Sequence, residues 1–120
     1  MRLNTPIKSL TTVVFRSANK EKIRQAVHAF AAELRVKHPE IRRIIWFGSW
    51  VTGRPLPYSD VDICIILTRS DKTMRDRIPD YLPFGFPVGI DLFPYTENEF
   101  RELAKQHPSW YNAIRTGIEV

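Results

Sequence analysis

Apolar residues recur at spacings of three and four from about Asn19 to Lys37, which is the period of an amphipathic helix. Charged residues fill the positions between them, and the apolar positions are Ile23, Val27, Phe30, Ala31 and Leu34. Ser17 or Asn19 is expected to cap the start of this helix by accepting a hydrogen bond from a free backbone N–H. Pro39 prevents the helix from continuing beyond His38.

Three short segments rich in β-branched and aromatic residues predict strands, namely Ile41–Phe47, Val61–Leu67 and Val88–Phe93. Each is too short for a typical helix, and such side chains pack well on a sheet. Trp46, Phe47 and Cys64 are therefore interpreted as core residues, and Cys64 as chemically inert.

Three further helices are expected after the second strand. One runs from Asp71 to about Tyr81 and is limited by Pro79. A capping box formed by Thr96 and Glu99 opens the next, and a short helix from Ser109 to Arg115 is stopped by Gly117. No internal repeat or low-complexity stretch interrupts the pattern, so one domain spanning residues 1–120 is predicted.

Composition narrows the class of protein. The chain has 120 residues, 43% of them hydrophobic and 26% charged, which is typical of a globular protein and unlike a disordered or fibrous one. A single cysteine excludes an internal disulfide and a cysteine-based zinc site. No apolar run is long enough for a membrane helix or a signal segment, so we expect a cytoplasmic protein with no membrane partner.

The net charge of +5 favours anionic partners without choosing among them. A merely solvated basic surface is an equally good interpretation, and it is the favoured one for the basic groups Arg42-Arg43 and Arg69, Lys72, Arg75 and Arg77. The three histidines have no mutual spacing typical of metal ligation and are interpreted as surface or helix-end residues: His28, His38 and His107.

The chemistry-bearing segment lies between the first two strands. Gly48-Ser49 follows a strand directly, so the backbone can approach an anion closely while the serine offers a hydroxyl. Triphosphate oxygens are natural ligands for such a turn, although Gly-Ser after a strand is also common without any ligand. Trp50 could line a nucleotide pocket or cover the core.

Carboxylates are the second element of this chemistry. Asp60 and Asp62 lie two apart at the opening of a strand, so their side chains point to one face. Asp91 stands in another apolar strand, where a charge is costly unless it is paired or metal-bound. If the two strands are neighbours, three carboxylates share one face, which suits Mg²⁺ or Mn²⁺ and two-metal phosphoryl transfer. A charged strand end facing solvent is the alternative.

Together, Gly48-Ser49, Gly53, Ser59-Asp60-Val61-Asp62 and Asp91 resemble the signature of the DNA polymerase β-like nucleotidyltransferase superfamily. In size and order of elements the chain is most similar to its minimal nucleotidyltransferases, and the strong similarity covers about Ile41 to Pro94. The resemblance implies an α/β (α+β) fold in which a short mixed sheet packs against helices. It also implies an enzyme that moves a nucleoside monophosphate from a triphosphate to a hydroxyl and releases pyrophosphate.

The resemblance further implies roles for individual residues. Gly48 and Ser49 would hold the triphosphate, Asp60 and Asp62 would bind two Mg²⁺ ions, and Asp91 would complete the metal nearer the acceptor. Mn²⁺ is an expected substitute. Ser59 is a further candidate for nucleotide binding, although capping the turn before Asp60 is its favoured role.

One position departs from the family pattern. Many relatives carry Arg where this chain has Thr52, which puts one phosphate contact in doubt, and Arg54 could substitute for it. ATP is the expected nucleotide, a protein or RNA hydroxyl the expected acceptor, and a HEPN-type helical protein the expected partner of an antitoxin. A homo-oligomer is left open. The competing hypothesis is a weakly active or inactive binding module that sequesters such a partner.

Overall fold

The computed structural model describes residues 4–56 and 59–120, and of residues 4–19 only the helical backbone. Along the chain, five helices and four strands are described in the order α1 (Asn4–Lys37), β1 (Ile41–Phe47), α2 (Ser49–Thr52), β2 (Val61–Leu67), α3 (Met74–Tyr81), β3 (Ile90–Thr96), α4 (Glu97–Gln106), α5 (Pro108–Arg115) and β4 (Ile118–Glu119).

The strands form one mixed sheet in the order β3-β2-β1-β4. β1 is antiparallel to β2 and to β4, whereas β2 and β3 are parallel. This topology brings the carboxyl end of β1 and the amino ends of β2 and β3 to the same edge of the sheet. Any residue at those three strand ends is therefore close to the other two.

The two central strands are apolar on both faces because helices cover both sides. One cluster contains Ile44, Trp46, Ile63 and Ile65 together with the inner face of α1. The other contains Ile45, Phe47, Cys64 and Ile66 together with α4 and α5. The expected α+β class, with a short mixed sheet packed against helices, is confirmed, as are Trp46, Phe47 and Cys64 as core residues.

The first helix is longer than its apolar period indicates. α1 begins at Asn4, so Ser17 and Asn19 lie within it, and the prediction that either caps its start is wrong. No glycine or proline occurs from residue 7 to residue 37, and without such breakers a helix can extend beyond its packed face. The predicted end near His38 is confirmed.

The third strand begins and ends later than the predicted Val88–Phe93. β3 runs from Ile90 to Thr96 and includes the fully buried Pro94. Proline is tolerated here because β3 is an edge strand and need not donate to a further neighbour. β4 has no counterpart among the predicted elements. No helix within residues 4–56 and 59–120 combines the length and hydrophobicity needed to cross a membrane.

Candidate active site

Two of the predicted carboxylates occupy paired positions on neighbouring strands. Asp62 on β2 is the register partner of Asp91 on β3, and on its other side Asp62 pairs with Phe47 at the end of β1. Register partners project their side chains to the same face of a sheet. The condition that the two strands be neighbours is therefore met, and both acids lie at the edge where β1 ends and β2 and β3 begin.

Gly48 brings the backbone after β1 against Asp62. It has φ +87°, a left-handed conformation that favours glycine, and it caps the short helix α2, where its carbonyl accepts hydrogen bonds from Val51 and Thr52. A Cβ at Gly48 would collide with Oδ2 of Asp62 and lie 3.0 Å from its Cγ. The absence of a side chain thus permits the contact between the turn and this carboxylate.

A second glycine receives Asp60 in the same way. The N–H of Val61 donates to the Gly89 carbonyl at 2.9 Å, and a Cβ at Gly89 would collide with Oδ1 of Asp60 and lie 2.9 Å from its Cγ. Asp60 therefore lies over the backbone just before β3. Gly89 was not predicted from the sequence, although a glycine two residues before a strand-borne acid is a signal for close approach.

Asp62 is half-buried, and its environment opposes its charge. Burial raises the pKa of Asp62 to about 6, and the carboxylates of Asp91 and Asp60 add to the rise. Phe47, its register partner, belongs to an aromatic cluster with Phe93 and Trp110 on that face. An apolar wall and two like charges favour either a proton or a cation at Asp62.

The donor set fits a hard divalent cation. Asp60, Asp62 and Asp91 offer only carboxylate oxygens, the ligand type preferred by Mg²⁺ and Mn²⁺. Burial first, and then the charges of Asp91 and Asp60, raise the pKa of Asp62. In the described part of the chain, however, no three His, Cys, Asp or Glu side chains form a ready-made group around one ion. The carboxylates thus supply part of a coordination shell, and further oxygens must come from elsewhere.

Asp91 differs from the expectation in one respect. It was expected where a core residue would stand, but it is exposed, because β3 is the edge strand and its first residues are only partly covered. Asp62 alone bears the cost of burial.

The loop before β2 is fastened by Trp50 and Ser59. The indole Nε1 of Trp50 donates to the Ser59 carbonyl at 2.8 Å. The hydroxyl of Ser59 accepts from the Leu56 N–H, also at 2.8 Å. Trp50 is 5% exposed within the core cluster, so of its two expected roles it has that of covering the core. Ser59 makes the turn contact that was expected before Asp60.

The departure at Thr52 has a local consequence. Its hydroxyl donates to the Ser49 carbonyl within α2 at 3.2 Å, and the side chain is exposed. Arg54 is also exposed, and its backbone N–H bonds to the same carbonyl. Both side chains thus lie just after the turn that opens at Gly48.

The prediction of a solvated basic face is wrong for one of its residues, Arg77. Arg77 is 4% exposed and forms a paired ion contact with Glu99. It also donates to the carbonyls of Lys72 and Pro94. A buried guanidinium with these partners holds α3, β3 and α4 together. It is not available to guide a polyanion.

Comparisons with known proteins bear on the fold and on the family. No curated protein matches the chain. A crystal structure at 1.40 Å resolution of a protein from Sulfolobus solfataricus, provisionally described as a nucleotidyltransferase, shares the fold, with a TM-score of 0.56, 22% identity, and coverage of 72% of this chain and 79% of that one. The family model described as "Nucleotidyltransferase domain" matches residues 27–115, most of the chain. The chain therefore belongs to the nucleotidyltransferase domain family.

Proposed function

We propose that this protein is a Mg²⁺-dependent nucleotidyltransferase that moves AMP from ATP onto a hydroxyl of a protein or RNA acceptor, within one domain spanning residues 1–120. Membership of the family supports transfer of a nucleotidyl group. The register pairing of Asp62 with Asp91, beside a glycine turn, carries the proposal. It places acidic oxygens next to a backbone turn suited to phosphate.

In this proposal the three carboxylates Asp60, Asp62 and Asp91 hold two Mg²⁺ ions, with Mn²⁺ as a substitute. Gly48 and Ser49 hold the triphosphate, because the first N–H groups of a helix such as α2 lack intrahelical partners. Ser59 is a further candidate for a nucleotide contact. The bound ions would neutralise charge on the triphosphate and on the attacking and leaving oxygens.

The acceptor hydroxyl oxygen forms a bond to the α-phosphorus of ATP while the bond from that phosphorus to the bridging oxygen of the β-phosphate breaks. Pyrophosphate leaves with the electron pair, and Asp91 takes the hydroxyl proton. Positioning and neutralisation of charge supply most of the catalysis in such a transfer.

Transfer of label from α-labelled ATP tests this proposal. We expect Asp60→Asn and Asp62→Asn to abolish transfer to protein or RNA while the fold persists. Asp71→Asn is the matched control, because Asp71 is an exposed carboxylate beyond the opposite end of β2 and should leave transfer intact. Undiminished transfer by either site variant would refute the assignment.

A separately folded partner would supply the acceptor in a toxin–antitoxin pair. The proposed partner is a HEPN-type helical protein encoded next to this chain, carrying the tyrosine that receives AMP. Mass spectrometry of the two co-expressed proteins after incubation with ATP and Mg²⁺ should reveal added AMP on the partner. A neighbouring reading frame without an Arg-x4–6-His motif, or a partner that gains no mass, would refute this role.

A binding module without turnover is the alternative. It is favoured by Thr52, whose hydroxyl bonds to its own helix at a position where many relatives carry Arg, and by the lack of a ready-made metal group in residues 4–56 and 59–120. Isothermal titration with ATP separates the two functions. No binding of ATP with Mg²⁺ or Mn²⁺ would support the module, whereas binding that requires the carboxylates would support the enzyme.

A further inference from the structure

Two equally buried tryptophans of the core differ in their hydrogen bonding. Trp46 and Trp50 are each 5% exposed and belong to the same cluster. The indole N–H of Trp50 donates to the Ser59 carbonyl at 2.8 Å, whereas that of Trp46 is buried without a partner among the described residues. A buried N–H is normally satisfied, so Trp46 is the exception, and it serves as the comparison that shows what the bond of Trp50 contributes.

The carbonyl that Trp50 holds belongs to a closed turn. The Ser59 N–H donates to the Leu56 carbonyl at 3.0 Å, and the Leu56 N–H donates to the Ser59 hydroxyl at 2.8 Å. Leu56 itself is 75% exposed, so the core does not fix this turn through its apolar side chain. The indole of Trp50 instead ties the turn to α2.

Asp60 lies between two residues whose backbone groups are hydrogen-bonded to other parts of the fold. On its amino side the Ser59 carbonyl accepts from Trp50, and on its carboxyl side the Val61 N–H donates to Gly89 at 2.9 Å. The exposed carboxylate of Asp60 lies over Gly89. We propose that Trp50 is a positioning residue that fixes the backbone of Asp60, and so the divalent cation that Asp60 helps to hold. This inference rests on the proposed function.

Removal of the indole N–H should therefore loosen Asp60 while the backbone N–H groups of α2 stay in place. One hydrogen bond between neutral groups corresponds to a change of about two- to ten-fold in an equilibrium. We expect Trp50→Phe to weaken Mn²⁺ binding by about that factor and to lower kcat more than it raises KM for ATP. A loss of packing alone would lower the overall stability and would not weaken Mn²⁺ binding in particular.

Trp46→Phe is the matched control. It removes an equally buried indole, but no hydrogen bond among the described residues is lost. Mn²⁺ binding is measured by calorimetry, and amide hydrogen exchange of Ser59 and Val61 is measured without metal. Trp50→Phe should weaken Mn²⁺ binding and accelerate both amides beyond Trp46→Phe. Equal values for the two variants would overturn the proposal.

Replacement of each tryptophan by benzothienylalanine, in which sulfur replaces the N–H at nearly constant volume, serves if a phenylalanine variant fails to fold. The same order of effects is expected. If the wild-type protein neither binds Mn²⁺ nor transfers AMP, the proposed function fails and so does the catalytic part of this inference. If the wild-type protein does both and position 50 behaves like position 46, only this inference fails.

Discussion

Asp62 is held in a position that opposes its own charge. It is half-buried, and burial together with Asp91 and Asp60 raises its pKa to about 6. Nothing in the packing of a sheet requires an acid here, because the next residues of the same strand are buried and apolar. A cation between the carboxylates would offset both the burial of this charge and its repulsion by the other two. Asp62 therefore lowers the stability of the metal-free protein and favours binding of a cation.

Asp62→Asn should stabilise the protein at pH 7 when a chelator keeps it free of metal. A carboxyl whose pKa is raised by folding binds more protons in the folded state, so its contribution to stability falls as pH rises from about 4 to about 6. The difference in free energy of unfolding between variant and wild type should grow across that window towards about 1 kcal/mol, after allowance for solvent screening. This corresponds to a difference in Tm of roughly 4 °C.

Thermal unfolding followed by circular dichroism at several pH values measures this difference. Asp71→Asn, which removes an exposed carboxylate, should leave the Tm unchanged. A wild-type protein that is the more stable of the two above pH 6 without metal would contradict the cost assigned to burial and repulsion at Asp62.

Gly48 is the other residue on which the site depends. Alanine at Gly48 meets two penalties, a left-handed φ of +87° and a collision with the carboxylate of Asp62. Gly53 has a similar φ of +84°, but a Cβ there meets nothing within 4 Å. Gly53→Ala should therefore cost about 1–2 kcal/mol, and Gly48→Ala at least about 1 kcal/mol more.

Urea unfolding of both variants measures the two losses. The backbone penalty is also the larger at Gly48, because its ψ of −159° lies outside the left-handed helical region that Gly53 occupies with ψ 15°. Gly48→Ala should also weaken binding of Mn²⁺, because Asp62 must move. Equal losses of stability in the two variants would show that Gly48 and Asp62 do not touch.

At the level of elements, Arg77 joins three of them. From α3 it donates to the Pro94 carbonyl of β3 and to both carboxylate oxygens of Glu99 on α4. Hydrogen bonding and charge from Arg77 lower the pKa of Glu99, so the pair stabilises the fold above the ordinary pKa of a glutamate and loses its effect as pH falls. This contact fixes the carboxyl end of β3, opposite to the end that carries Asp91.

Arg77→Met should destabilise the protein by about 2–3 kcal/mol, because two carbonyls and a carboxylate lose a buried partner. Lys72→Met is the control: it breaks the exposed pair with Asp80, whose side chains are 55% and 43% exposed, at a cost below about 1 kcal/mol. Urea unfolding at pH 7 measures both, and similar losses would contradict a structural role for Arg77.

Elements with strong local signals were predicted well from the sequence. The bounds of β1 and β2 are those expected from their β-branched runs, and the capping box of Thr96 and Glu99 is present with both of its hydrogen bonds. Each signal lies within a few neighbouring residues. The glycine turn and the first two acids were recognised for the same reason, because the turn directly follows β1 and Asp60 and Asp62 stand at the start of β2.

What escaped prediction depends on distant pairing. β4 has two residues, and its strand conformation rests on pairing with Ile45 and Trp46, about seventy residues earlier in the chain. The burial of Arg77 requires Glu99 on another helix. The sequence predicted that Asp62 and Asp91 share a face only if their two strands are neighbours, since strand order and register are set by the whole sheet.

The whole molecule brings three separate chain segments to the site. The turn at Gly48 follows β1, Asp62 lies near the start of β2 and Asp91 near the start of β3, and the three meet only when the sheet is formed. A ligand that contacts all three therefore binds the folded state and hardly the unfolded one. Binding must then raise the stability of the whole fold.

ATP with Mg²⁺ should therefore raise the Tm of the wild-type protein more than either does alone. At a ligand concentration 100 times the dissociation constant the stabilisation is about 2.7 kcal/mol, which corresponds to a Tm increase on the order of 10 °C for a chain of this size. Asp60→Asn should lose most of this increase and Asp71→Asn none of it, because only the first removes a proposed ligand. Differential scanning calorimetry with ATP, Mg²⁺ and both together provides the measurement. An equal Tm increase in the wild type and Asp60→Asn would mean that the nucleotide binds away from the three carboxylates, and the edge of the sheet would then not be the active site.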